Sequence, residues 1–217
     1  RERIDHVFLA ASREKVETRR KRLLSFAVAG AGFTGVEMMG ELIERKKTLC
    51  RKYAIDEKEV TLLIIEGLSS VCNILPEKMQ KKTIAYLEKN GVEVHLNSFI
   101  SKVEEHKISI KDGKELSAGT FIWTAGVKGS CFSENLGLEV NEKDRKPVAN
   151  SFMQSKSYEN VYLAGDNVYF LENNAPIPKI VETAIQTAEV AAHNIAADIL
   201  GTEKKEFKSN YHGYMVS

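Results

Sequence analysis

The run Phe26-Ala27-Val28-Ala29-Gly30-Ala31-Gly32-Phe33-Thr34-Gly35-Val36-Glu37 constrains this chain more than any other stretch. An apolar, β-prone segment ends in G-x-G-x-x-G, and a helix-forming segment follows at once. That is the context of a dinucleotide-binding turn. A second apolar run, Val60-Thr61-Leu62-Leu63-Ile64-Ile65, ends on the acid Glu66. Strand, helix and a strand tipped with a carboxylate make a complete nucleotide-binding unit. The glycine pattern alone fits an ordinary turn of an α/β domain equally well; its ordered companions favour a nucleotide.

Each position in that unit has a physical role. Gly30 permits the tight turn out of the strand. Gly32 lets backbone approach a diphosphate, and Gly35 lets helix and strand pack closely. Amides around Phe33 and Thr34, at the positive end of the helix dipole, favour an anion. Glu66 can accept hydrogen bonds from ribose hydroxyls. Gly67 and Leu68 follow it with no adjacent arginine, so NAD(H) is expected rather than its 2′-phosphorylated form. Glu66 lies about 31 residues beyond Gly35, against a usual spacing of ~20. A long helix to about Tyr53 and the polar loop 54–59 account for the excess.

The remaining pattern predicts a charge-rich amphipathic helix over 1–22 and a strand over 25–29. A helix follows over about 34–53, with acids first and bases last as the macrodipole favours. A strand is expected over 60–66, a Pro-led helix from Leu75 to Asn90 and a strand over 92–96. Short alternating segments at 100–104, 107–111 and 115–117, with an Asp112-Gly113 turn, predict an antiparallel meander. The chain returns through a mostly apolar strand, Thr120–Gly126. A looser stretch over 127–158 leads to a strand over 160–164 that delivers Gly165-Asp166. A long Ala-rich helix is expected from Lys179 to Leu200, stopped by Gly201, with another element beginning near Thr202. Tyr214-Met215-Val216-Ser217 reads as a strand just starting.

Composition narrows the functional classes. Net charge is +1, which gives no electrostatic footprint for nucleic acid. The basic run Arg19–Arg22 reads as a solvated helix face. No apolar run reaches the ~18 residues of a membrane span, and no signal peptide is seen. The three cysteines, Cys50, Cys72 and Cys131, are far apart and odd in number, so neither C-x-x-C chemistry nor a secreted disulfide framework is indicated. No metal site is expected. The chain begins with Arg1 in a charged helical pattern, which suggests an excised piece of a longer protein.

The second constellation is Val161–Asp166. An Asp at the tip of an apolar segment can accept hydrogen bonds from sugar-alcohol hydroxyls. Amides around Ile180–Glu182, at the start of the last helix, can stabilise negative charge on a reduced flavin. The order "GAGFTGVE", "VTLLIIE", "ILPEKM", "GVEV", "FIWTAGV", "NVYLAGD" and "TAIQTAEVAAHNI" resembles the two-dinucleotide-fold flavoproteins of the pyridine nucleotide-disulfide oxidoreductase superfamily. Gly35-Val36-Glu37, Trp123–Val127 and the closing "GYMVS" look most like type II NADH dehydrogenases, the single-polypeptide NADH:quinone oxidoreductases.

That resemblance implies an α/β class: a Rossmann-like three-layer fold with the inserted meander, plus part of a second, FAD-binding domain. It divides the chain into a connecting helix (1–22), an NAD(H) domain (23–126), the C-terminal half of an FAD domain (127–208) and the start of a further region (209–217). It implies NADH and FAD as cofactors and a quinone as acceptor in the parent enzyme. A membrane surface would be met through the parent's C-terminal region on the inner face of the cell membrane, and two copies could pair as a dimer. It places NAD on Gly30, Gly32, Phe33, Thr34, Gly35, Glu37, Glu66, Ala125 and Gly126. It places FAD on Gly165, Asp166, Lys179, Val181 and Glu182. Glu37, Glu182 and Gln186 become the candidate catalytic residues, although Glu37 equally suits a first-turn acid that complements the dipole. Glu182 departs from the family's usual glutamine. Competing readings are a sulfide:quinone oxidoreductase, a disulfide reductase and a non-catalytic NAD(H)-binding module.

Overall fold

The computed structural model describes residues 2–213, so the strand expected at 214–217 lies outside the described residues. The chain forms two compact units, one running to Gly126 and one starting at Val127.

The first unit opens with α1 (Glu2–Arg13) and α2 (Glu17–Leu23). One continuous helix was the expectation here, and the break is local. Glu14 turns its carboxylate back onto the Val16 amide at 2.8 Å, and Val16 is extended. A side chain that captures a nearby backbone donor competes with helical bonding. Then come β1 (Ser25–Ala29), α3 (Phe33–Tyr53), β2 (Thr61–Ile65), α4 (Glu77–Lys89) and β3 (Val92–His95). A meander of β4 (Ile100–Glu104), β5 (Lys107–Ile110) and β6 (Glu115–Ser117) precedes β7 (Thr120–Trp123). β1, β2, β3 and β7 form one parallel sheet in the order β3-β2-β1-β7.

Alternation along the strands explains the layers. Phe26, Val28, Leu62 and Ile64 face a core shared with Phe8 and Ala11 of α1, Met39, Leu42 and Ile43 of α3 and Leu87 of α4. Ala27, Leu63 and Ile65 face the other way, onto Ile108 and Ile110 of the meander. A parallel sheet must be covered on both faces. Helices cover one face here and the meander covers the other, as a separate antiparallel sheet. Its Asp112-Gly113 turn is present. Gly113 has φ +91°, and the Asp112 carboxylate accepts the Lys114 amide at 2.9 Å.

The second unit holds α5 (Cys131–Asn135), a small hairpin of β8 (Leu171–Glu172) and β9 (Ala175–Pro176), and α6 (Val181–Leu200). The hairpin turns through Asn173 and Asn174, both left-handed, as a tight two-residue turn requires. Gly201, at φ +68°, ends α6. The core gathers Leu138, Ala149, Met153, Leu163, Val168, Ile177, Val190, Ala191 and Phe207.

Two expectations change in this unit. Residues 160–164 are not a regular strand. The segment meets 153–155 through an isolated antiparallel bridge, Gln154 to Tyr162, with Leu163 N–H on the Met153 carbonyl at 2.8 Å. Without a continuous ladder an apolar run stays irregular. The segment after Thr202 is likewise no regular element. It is an extended strap held by side chains. The Asn194 amide, fully buried, donates to the carbonyls of Phe152 (2.9 Å) and Lys205 (2.8 Å) and accepts the Lys205 amide at 2.7 Å. Phe207 then donates its N–H to Ser151 O at 2.7 Å.

Candidate functional site

The glycine turn sits at the carboxyl ends of β1 and β7. Gly30 is at φ +93°, and a Cβ built on it would lie 2.8 Å from the Ala125 Cα. A Cβ on Gly35 would lie 1.8 Å from the Gly30 carbonyl oxygen. Only glycine fits either position. Gly32 is different, since a Cβ there would meet nothing within 4 Å. The middle glycine therefore faces open space at the start of α3. It offers no side-chain cap, and the first helical bond runs from the Val36 amide to the Gly32 carbonyl. Amides before it have no acceptor within the helix, which makes this end attractive to an anion.

Glu66 belongs to the same turn. Its Oε2 accepts the Ala31 amide at 2.7 Å, and its Oε1 accepts the Leu68 amide at 2.9 Å. Each oxygen keeps a lone pair for a further donor. The carboxylate thus fixes the peptide between the first two glycines and can still receive hydroxyls. The next peptide, Ala31–Gly32, is held as well, because the Cys72 amide donates to the Ala31 carbonyl at 2.8 Å. The Cys72 thiol is buried and pushed up by that burial, with Glu37 and Glu66 adding to the effect. Such a thiol is an unreactive one.

Three features here were not foreseen from the sequence. Thr124 donates its hydroxyl to the Ala29 carbonyl at 2.7 Å and lies 3.1 Å from the Gly30 carbonyl. It fastens the end of β7 to the turn. Cys72 and Leu68 act through backbone amides, which no side-chain pattern reports. A hydroxyl placed directly after a strand that returns beside β1 was the one available signal, and it points to Thr124. Gly126 is at φ +100°, and the Trp123 indole donates to its carbonyl at 3.2 Å. Ala125 and Gly126 therefore form a fixed, side-chain-poor corner beside Gly30. Glu37 lies half-buried in the first turns of α3, and Phe33 and Thr34 open that helix.

In the second unit, Gly165 is at φ +70°, and its amide donates to the Thr187 hydroxyl at 3.0 Å. That hydroxyl donates in turn to the Thr183 carbonyl at 2.7 Å. The 3-10 turn Gly165–Asn167 is so tied to α6, and Asp166 is exposed on it. No side chain caps α6 at Ile180, and Val181 is 75% exposed. Lys179 donates to the Val168 carbonyl at 2.6 Å. An exposed carboxylate and an uncapped helix start, held to one another by Thr187, suit a ligand with sugar hydroxyls and an anionic group.

Glu182 and Gln186 are engaged by the strap. The Gln186 amide donates to the Asn210 carbonyl at 2.8 Å and accepts the Asn210 amide at 2.9 Å. Glu182 Oε1 meets the His212 ring at 2.9 Å, and Oε2 accepts the His212 amide at 3.3 Å. Both side chains position residues 210–212 along the start of α6. Among the described residues no cluster of His, Cys, Asp and Glu could hold a metal. No helix there is long and apolar enough to cross a membrane.

Comparison with known proteins agrees with this architecture. The type II NADH:quinone oxidoreductases of Staphylococcus aureus strains NCTC 8325 and Mu50 are each 33% identical over 213 residues, covering 96% of this chain and 52% of their own length. The chain thus spans about half the length of the curated relatives it matches. Among solved structures, NDH2 from Plasmodium falciparum in complex with NADH has TM-score 0.68 at 19% identity, over 77% of this chain and 36% of that one. A NAD-dependent persulfide reductase from A. fulgidus has TM-score 0.65 at 22% identity, over 89% and 34%. These two likenesses speak to the fold. The family model described as pyridine nucleotide-disulphide oxidoreductase matches residues 2–193, and the chain belongs to that family.

Proposed function

We propose that this chain is the nucleotide-handling part of an NADH:quinone oxidoreductase that carries out NADH + H⁺ + quinone → NAD⁺ + quinol. The observation that carries the reading is the open Gly32, set between two glycines that admit no side chain, with Glu66 bonded to the same turn. The diphosphate of NADH lies against Gly30, Gly32, Phe33, Thr34 and Gly35, and Glu66 takes the adenosine ribose. Ala125 and Gly126 leave room for the nicotinamide ring. Glu37 orients that ring or handles its proton. These residues belong to a domain ending near Gly126, the NAD(H) domain of the parent.

The residues of the second unit fit the sugar-alcohol and ring edge of FAD. Asp166 and Gly165 receive the hydroxyls, and the start of α6 with Lys179, Val181 and Glu182 faces the anionic ring edge. A flavin held there supplies two-electron storage between the two substrates. Glu182 and Gln186 then act at the acceptor end through the strap they hold. Cys131 is the sole cysteine of this unit and is exposed, so this unit holds no cysteine pair of the kind that sulfide:quinone chemistry uses near the flavin. Peripheral attachment to the inner face of the membrane, through the parent's C-terminal region, and pairing of two copies belong to the same proposal. The test is the colour of the full-length parent. A yellow protein, bleached by NADH and recoloured by a quinone analogue, is expected. A colourless protein, or one that NADH leaves yellow, overturns the reading.

A further inference from the structure

The densest charge on this chain lies away from the coenzyme turn. Residues 13–22 carry six basic side chains and two acidic ones, a net of +4 in a chain of net +1. From sequence, Arg19–Arg22 is only a solvated helix face; the structure separates the charges that are spent from those that are free. Glu14 is turned onto the Val16 amide. Glu17 pairs with Lys21 at 2.6 Å. Arg20 is taken up by Glu59 and by the Ala11 carbonyl. Arg13, Lys15, Arg19 and Arg22 are exposed, and among the described residues their side chains form no ion pair. Val16, 47% exposed, stands between them.

This face is fastened to one edge of the sheet. Ser25 donates its hydroxyl to the Arg22 carbonyl at 2.7 Å and accepts the Gly119 amide at 2.9 Å. α2 therefore ends against the amino ends of β1 and β7. From there β1 runs five residues, about 16 Å, before it reaches the glycine turn. A sheet of this kind opens its ligand crevice at the carboxyl ends of the strands. The basic face and the coenzyme turn thus lie at opposite edges of one unit. The grip of Arg20 on Glu59 holds the turn 57–59 alongside α2. There the Asp56 carboxylate accepts the Lys58 amide at 2.9 Å, and Glu57 and Lys58, both exposed, offset one another in charge.

We propose that the exposed face of residues 13–22 docks this unit on an anionic lipid surface, with the coenzyme crevice turned to the water. Clusters of four or more basic side chains on a helix are drawn to anionic headgroups, roughly fivefold in affinity per side chain near the surface. An apolar residue among them can enter the headgroup boundary. Single-stranded nucleic acid is held largely by aromatic side chains that stack on its bases, and none occurs between Phe8 and Phe26. The proposal rests on the proposed function only for the presence of a membrane, and it adds a contact distinct from the parent's C-terminal region.

The test sediments the full chain with vesicles of phosphatidylcholine, alone or mixed with phosphatidylglycerol, at low salt and without NADH or quinone. Binding to the mixed vesicles alone is expected. Changing Arg13, Lys15, Arg19 and Arg22 together to Gln should weaken it at least about thirtyfold, whereas R13K, R19K and R22K combined should keep it within ~3-fold. All four are surface positions, so the Gln variant should melt with its parent and titrate NADH as its parent does. Equal binding to the two kinds of vesicle, or equal binding by the parent and the Gln variant, overturns the proposal. A chain that retards a short DNA duplex at a salt concentration where the mixed vesicles no longer hold it also overturns it, and makes the face a nucleic-acid surface. None of these failures touches the bleaching of the parent's flavin, which tests the proposed function separately.

Discussion

At the scale of single residues, the three glycines of one motif do different work, and substitution separates them. A methyl group on Gly35 would sit 1.8 Å from a carbonyl oxygen of the turn, so backbone must shift. Gly35→Ala should cost about 3 kcal/mol of stability by overpacking, read from urea unfolding, and should take NADH binding with it. Gly32→Val meets no neighbour and has an extended backbone that suits valine. It should leave the stability read from urea unfolding within ~1 kcal/mol of the parent while abolishing the NADH fluorescence titration. An unchanged titration would mean that no diphosphate approaches Gly32. Glu66→Ala removes the acceptor of two backbone amides as well as the proposed sugar contact. NADH affinity should fall by at least ~10-fold, about 1.4 kcal/mol. If NADH and its 2′-phosphorylated form instead bound equally better, the ribose assignment would be wrong.

At the scale of elements, legibility follows the range of the interactions involved. β1, α3 and β2 were readable because glycine spacing, apolar runs and a terminal acid are local signals. The meander was readable from period-two alternation and Asp112-Gly113. The strap was not, because Asn194, Gln186 and Glu182 hold it from positions 11 to 30 residues away in sequence, and polar contacts at that range leave no periodicity. α2 is another long-range case. Arg20 grips Glu59 at 2.5 and 3.0 Å, and this guanidinium, more than any other cause, holds the Glu59 carboxyl below the usual carboxylate range. A depressed carboxyl stabilises the fold above its unfolded value, near 4.3, and that share is lost as pH falls through the lower folded value. The pair is partly exposed, so the share is at most ~1 kcal/mol. The stability gap between the parent and Glu59→Gln should therefore be present at pH 7 and shrink below about pH 4. Urea unfolding at the two pH values checks it, and a gap that widens in acid would contradict it.

At the scale of the whole molecule, the residues assigned to the coenzyme all lie in the unit that ends at Gly126. The four-stranded sheet, its helices and its meander complete that unit's core from its own residues. A site made wholly within one compact unit needs no flavin to form, whatever the parent does with its electrons. A ligand that binds only the folded state stabilises it by mass action, by about 2.7 kcal/mol at a hundredfold excess over its dissociation constant. The chain carries one tryptophan, Trp123, on the strand beside the glycine turn, so its emission reports the unfolding of this unit alone. NAD⁺ leaves that emission clear when the indole is excited at long wavelength. In protein freed of flavin, saturating NAD⁺ should move the Trp123-detected urea midpoint upward, and Gly32→Val should abolish the movement. A midpoint that ignores NAD⁺ would mean that coenzyme binding requires more than the unit ending at Gly126 provides.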